Sequence, residues 1–141
     1  MHVPDAIGGR GRRRLVVVLS AWLAACAGPV GGGEWSLARM DGRPPLPGVR
    51  VHLRMQDGGV RGSNGCNSFS ATLAGSGERG VLRGYETTLV ACGDAAGEQA
   101  RKVAEVLADS PRYEVKDDRL LLWSSRGNLV FVRGSRAAGR P

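Results

Sequence analysis

The chain holds 141 residues with a formal net charge of +7, of which 42% are hydrophobic and 23% charged. That length leaves room for one domain and excludes a multidomain assembly, and a core this small gains much from a covalent staple. The basic balance alone would admit nucleic acid or an anionic surface as a partner.

The first segment narrows that choice. Arg10, Arg12, Arg13 and Arg14 precede an apolar run over residues 15–23, and Leu23-Ala24-Ala25-Cys26 closes it. A positive stretch, an apolar stretch and small residues at a cleavage point form an export signal. The run is too short to span a bilayer, which takes roughly 20 apolar residues. The closing tetrapeptide resembles a bacterial lipobox. That resemblance implies cleavage after residue 25, a diacylglycerol on Cys26 and a partner in the lipid bilayer. An ordinary signal peptide, with Cys26 as a bystander, is the alternative. Ala27 rather than Asp follows the cysteine, which by analogy with lipoprotein sorting points to the outer membrane facing the periplasm. Export removes nucleic acid from the expected partners.

The expected organisation is a signal peptide at 1–25, a Gly-rich linker at 26–34, a domain at 35–133 and a disordered basic tail at 134–141. Trp35 and Leu37 alternate with polar neighbours and open a strand. Three prolines make residues 41–48 a loop. Val49, Val51, Leu53 and Met55 share one face of the clearest strand, with Arg50, His52 and Arg54 on the other. Asp57-Gly58 is a hairpin turn, and Val60-Arg61-Gly62 begins the return strand. Phe69 to Leu73 alternates again, and a Gly-rich turn is expected over 74–80. Residues 81–90 hold one or two strands, with Thr87-Thr88-Leu89-Val90 the most β-prone piece. Ala96, Ala100, Val103 and Leu107 then fall at helical spacing behind Asp94 as N-cap, and Pro111 stops the helix. Three strands follow, around Val115, Leu121 and Val130.

One run stands apart: Gly62-Ser63-Asn64-Gly65-Cys66-Asn67-Ser68-Phe69, answered later by Thr87-Thr88-Leu89-Val90-Ala91-Cys92. With the Trp35-Ser36-Leu37 opening, Leu120-Leu121-Leu122 and Leu129-Val130-Phe131, these resemble the META domain, the HslJ-like family of bacterial lipoproteins. The resemblance covers residues 35–133. It implies an α+β fold, a curved antiparallel β-sheet or partial barrel with one helix packed on it. It implies no catalytic residues, and associates the chain with heat shock, drug tolerance or motility. Gly62, Gly65, Asn67, Phe69 and Thr88 are the structural motif residues it marks. Glycines in a strand pattern mean a bulge or a close backbone approach, and Asn bonds its own chain. A corner that bends the sheet is one reading. A nest of backbone N–H groups for an anion is the other. Cys66 and Cys92 hold matching family positions and are the thiols left beside Cys26, so a disulfide is expected in an oxidising compartment. Two buried free thiols are the competing state.

Little else carries chemistry. Cys66, Cys92 and His52 lack the paired spacing of a structural zinc site, and His52 on a polar strand face is expected to be exposed. No nucleophile, base and orienter stand together, so neither an enzyme nor a cofactor is expected. Two function classes remain. The first is a non-catalytic envelope lipoprotein, active in envelope stress or drug tolerance, that binds or supports unknown envelope proteins. The second is a small apolar ligand carrier with its pocket inside a β-barrel. They differ in whether Leu53, Met55, Phe69, Leu122 and Phe131 fill the barrel, and filling is expected.

Overall fold

The computed structural model of the protein describes residues 32–134. The signal peptide, Cys26 and the tail beyond Gly134 lie outside the described residues. Within them the order is β1 Gly33–Met40, β2 His52–Gln56, β3 Gly59–Ser63, β4 Ser68–Ser76, β5 Arg79–Thr87, α1 Asp94–Ala108, β6 Arg112–Lys116, β7 Arg119–Ser124 and β8 Gly127–Arg133. Each strand pairs antiparallel with its neighbour in sequence, and β1 also pairs with β8. The sheet is therefore a closed eight-stranded barrel, where the sequence predicts a curved sheet or partial barrel. Closure leaves none of these strands as an open edge.

Period-two patterning builds the barrel. Trp35, Leu53, Leu82, Leu120, Leu122, Leu129 and Phe131 are essentially inaccessible, and Met55, Phe69 and Tyr113 nearly so. Their alternate neighbours, such as Arg54, Arg61 and Arg119, face solvent. Leu53, Met55, Phe69, Leu122 and Phe131 all lie in one core, so large side chains fill the interior. Val103, Val106 and Leu107 of α1 join the same cluster. The helix packs against β5, β7 and β8.

The barrel has two unlike ends. Tight turns at Asp57-Gly58, Gly77-Glu78 and Asp117-Asp118 share one end with the start of β1 and the finish of β8. Arg133 ties that end: its guanidinium stacks 4.4 Å from the Trp35 ring centre and its Nη1 donates to the Gly32 carbonyl at 2.6 Å. The long β1–β2 loop, the β3–β4 corner, the β7–β8 turn and α1 gather at the other end.

Several expectations shift. β1 begins at Gly33, inside the segment expected to be linker. The glycine-rich stretch at 74–80 is mostly ladder, with Gly75 opposite Gly80 and only Gly77-Glu78 turning. Tyr113, paired with Gly80, packs its ring where a Gly80 side chain would stand. Thr88-Leu89-Val90 is not strand despite its propensity, because other groups claim its backbone. The helix N-cap is Gly93, without a side-chain cap bond, so Asp94 is the first helical residue and not the cap. Gln99 and Val106 sit on the buried helical face, while Ala96 is only half-buried.

Asp41 links the helix end together. Its Oδ1 accepts from the Asn128 backbone N–H at 2.8 Å, and its Oδ2 lies 3.4 Å from Lys102 Nζ on α1. The Asn128 hydrogen bond, aided by Lys102, holds the Asp41 carboxyl below its ordinary value of 3.8. A depressed carboxyl stabilises the fold above its unfolded pKa, and that contribution fades as pH falls through the folded pKa. Asp41→Ala should therefore cost about 1 kcal/mol at pH 7, a figure reduced by the solvent exposure of the site. Urea unfolding of both proteins should show that gap narrowing below pH 3.8.

Candidate functional site

The distinctive run forms the corner between β3 and β4. Gly62 must lack a side chain, because a Cβ there would drive into the His52 carbonyl and the Leu53 Cα on β2. Gly65 turns at φ +95°, and a Cβ would stand 2.6 Å from Val49 Cγ1. Between them Asn64 is buried, 2% exposed. Its Oδ1 accepts the backbone N–H groups of Cys66 at 3.0 Å and Asn67 at 2.7 Å. Ser63 Oγ accepts the Gly65 N–H at 3.1 Å. The three successive N–H groups of an anion nest are present, and the corner's own side chains fill them. The structure favours the bent corner over the anion site.

Asn67 reaches out of the corner. Its Oδ1 accepts the Val90 N–H at 2.6 Å and the Thr88 hydroxyl at 3.0 Å. Its Nδ2 donates to the Val90 carbonyl at 3.3 Å. One carboxamide thus pairs with both the N–H and the C=O of Val90, as a residue of a neighbouring antiparallel strand would. This is why Thr88-Leu89-Val90 leaves the ladder after β5. Thr88 adds to the grip: its N–H donates to the Ser68 carbonyl at 3.0 Å and its Oγ1 accepts the Ser68 N–H at 3.2 Å.

Cys66 and Cys92 close the same junction with a disulfide, their Cα atoms 5.9 Å apart across 26 residues. The bond fastens the β3–β4 corner to the residue just before the α1 cap. Phe69 roots the corner from below, 4% exposed, with its ring centre 5.5 Å from that of Tyr85. The five motif residues therefore do not form one reacting centre. Gly62, Gly65 and Phe69 shape and bury the corner, while Asn67 and Thr88 hold the crossover loop. Asn64 is the functional residue missed by sequence reasoning. Its place before a glycine at a strand end was the available signal.

The polar groups elsewhere stay apart. His52 is half-buried, not exposed, with Nδ1 enclosed and lacking a hydrogen-bond partner. It faces Ser36 and Ser63 across the ladder. Among the described residues no cluster of three or more His, Cys, Asp or Glu could hold a metal ion. Leu89 and Val90 stand exposed in the loop that Asn67 holds, at 93% and 61%.

The META domain family model matches residues 28–136, spanning the barrel, the corner and the helix. The chain belongs to the META domain family. Two solved structures resemble this META barrel. One is an NMR structure at 18% identity with a TM-score of 0.59, covering 73% of this chain and 90% of that one. The other is an NMR structure of a protein from Burkholderia xenovorans, at 19% identity and TM-score 0.59, covering 76% of this chain and 85% of that one. At such identities the likeness shows the fold alone. No curated protein matches the chain.

Loss of the Asn64 acceptor leaves two N–H groups short of a partner in a part-buried turn, at about 1–3 kcal/mol. Asn64→Ala should therefore destabilise the META domain by about 2 kcal/mol, and Asn64→Asp, which keeps the acceptor, by less. Denaturant midpoints of the two variants check this. Equal loss in both would contradict the assigned role.

Proposed function

We propose that the chain is a non-catalytic envelope lipoprotein, a META barrel tethered to a bilayer through an acylated Cys26. The observation that carries this reading is the disulfide. Such bonds persist in oxidising compartments and are rare in the cytosol. It agrees with the arginine-led apolar run and the Leu23-Ala24-Ala25-Cys26 sequence. Acyl chains contribute about 0.8 kcal/mol per buried methylene, and two or more anchor a protein stably.

The polarity of the barrel suits a tether. β1 starts at the end made of tight turns, so the linker enters there. The helix, the disulfide corner and the long β1–β2 loop lie at the opposite end and would face away from the bilayer. A binding or supporting role toward envelope proteins is the reading supported by that presentation, with the outer membrane facing the periplasm as its place. A carrier with its pocket inside the barrel has less support, since large side chains occupy the interior. The proposal includes the part in envelope stress or drug tolerance that the family resemblance implies.

Cys26→Ala should move the protein from the membrane fraction to the soluble periplasmic fraction and abolish incorporation of labelled fatty acid. Unchanged membrane partition of that variant would refute the tether. The purified domain should show no hydrolase or redox turnover. Turnover of a defined substrate, lost in His52→Ala, would refute the non-catalytic role.

A further inference from the structure

At the helix end a hollow of about 580 Å³ opens between the β1–β2 loop and α1. That volume lies within the usual range for small-molecule sites. Met40, Pro44, Leu46 and Ala95 supply apolar lining. Gln99, also in the lining, is 5% exposed. Its Oε1 accepts the Leu46 backbone N–H at 2.7 Å, and this bond fixes which way the amide points. Nε2 is left as an enclosed donor without a hydrogen-bond partner. A buried amide donor in that state is costly, and its natural complement is a carbonyl or carboxylate oxygen.

The rim narrows the class of ligand. Lys102 is engaged by Asp41 and by the Arg126 carbonyl, and Arg101 sits 4.0 Å from Glu105. Arg43 and Glu98 make no ion pair among the described residues. The hollow therefore offers one cation and one anion outside any ion pair, an apolar wall and, enclosed behind that wall, the Gln99 amide donor. A phosphate or nucleotide would meet the carboxylates of Asp41, Glu98 and Glu105. A short peptide suits all four features: its carboxylate at Arg43, its ammonium at Glu98, a backbone carbonyl at Gln99 and small side chains against the wall.

We propose that this hollow is a binding site for a short zwitterionic peptide, with Gln99 Nε2 donating to a peptide carbonyl. Because Nε2 is enclosed, entry requires the exposed Pro44 and half-buried Pro45 to give way slightly while the Leu46 N–H stays on Gln99 Oε1. The site shares no residue with the disulfide corner and does not depend on lipidation of Cys26.

The test is NMR titration of the full processed chain, as isolated from its host, with trialanine as probe and N-acetyl-trialanine amide and acetate as comparisons. Trialanine should shift the Gln99 side-chain NH₂ and the Leu46 amide saturably. The blocked peptide should bind several-fold more weakly, and acetate should give no saturable shift. Gln99→Glu keeps an acceptor for the Leu46 N–H and removes the donor, so it should weaken trialanine at least tenfold. Arg43→Gln, at the rim, should weaken it several-fold without altering the fold. No saturable shift at millimolar trialanine, or binding unchanged in Gln99→Glu, would overturn the proposal. So would a long-lived water on the Gln99 amide that the peptide does not displace. These readouts are independent of membrane partition, so they fail separately from the tether.

Discussion

The fold depends on how one crossover is fastened. Six of the seven chain connections between strands pass from one strand to its barrel neighbour without a helix between them. The seventh leaves β5, runs through an irregular loop and α1, and must return beside β5 as β6. A segment of that length is entropically expensive to hold in one path. The protein holds it at its start. Asn67 supplies the hydrogen bonds that a neighbouring strand would give Val90, and Cys66–Cys92 fixes the residue before the helix cap. With that point fixed, the buried stripe around Val103, Val106 and Leu107 meets the barrel core. In the chain-entropy model a 26-residue loop gives the bond about 3.5 kcal/mol. A domain of this size has roughly 5–15 kcal/mol in total, so the fastening is a large share.

This arrangement accounts for a motif rich in polar side chains. Ser63, Asn64, Asn67 and Thr88 each give a side-chain oxygen to a backbone N–H of the corner or the loop. The interior is equally committed, since Trp35, Phe69, Tyr113 and Phe131 occupy it. What the molecule presents lies outside: the loop apex at Leu89 and Val90, and the hollow beside α1. Both belong to the end opposite the chain's entry into β1, so a tethered barrel would offer them outward.

Much of this was legible in the residues. Alternation at Leu53 and Met55 and at Leu120 and Leu122 marked the strands, although β2 starts only at His52 and leaves Val49 and Val51 in the preceding loop, and Asp57-Gly58 adopts the positive φ values of a hairpin turn. The family motif located the corner and paired the cysteines. Three features were hidden. Closure depends on β1 meeting β8, a contact between chain ends that periodicity within either strand cannot report. The glycines at 75 and 80 read as a turn because their role, room for the Tyr113 ring, comes from a strand far along the chain. Thr88-Leu89-Val90 has strand propensity, yet a side-chain amide outcompetes the ladder for its backbone, and propensity carries no record of such a partner. Asn64 and Gln99 were passed over for a related reason: polar residues reveal a buried role only through what surrounds them.

The central claim is that the corner acts by fastening the crossover, and the disulfide is its most direct handle. Thermal unfolding of the oxidised and reduced protein, with thiol counting on the unreduced denatured chain, tests it. The account predicts no free Cys66 or Cys92 thiol before reduction and a melting temperature lower by ten degrees or more, on the order of 4 °C per kcal/mol, afterwards. Two free thiols in the unreduced chain, or a melting temperature indifferent to reduction, would contradict it.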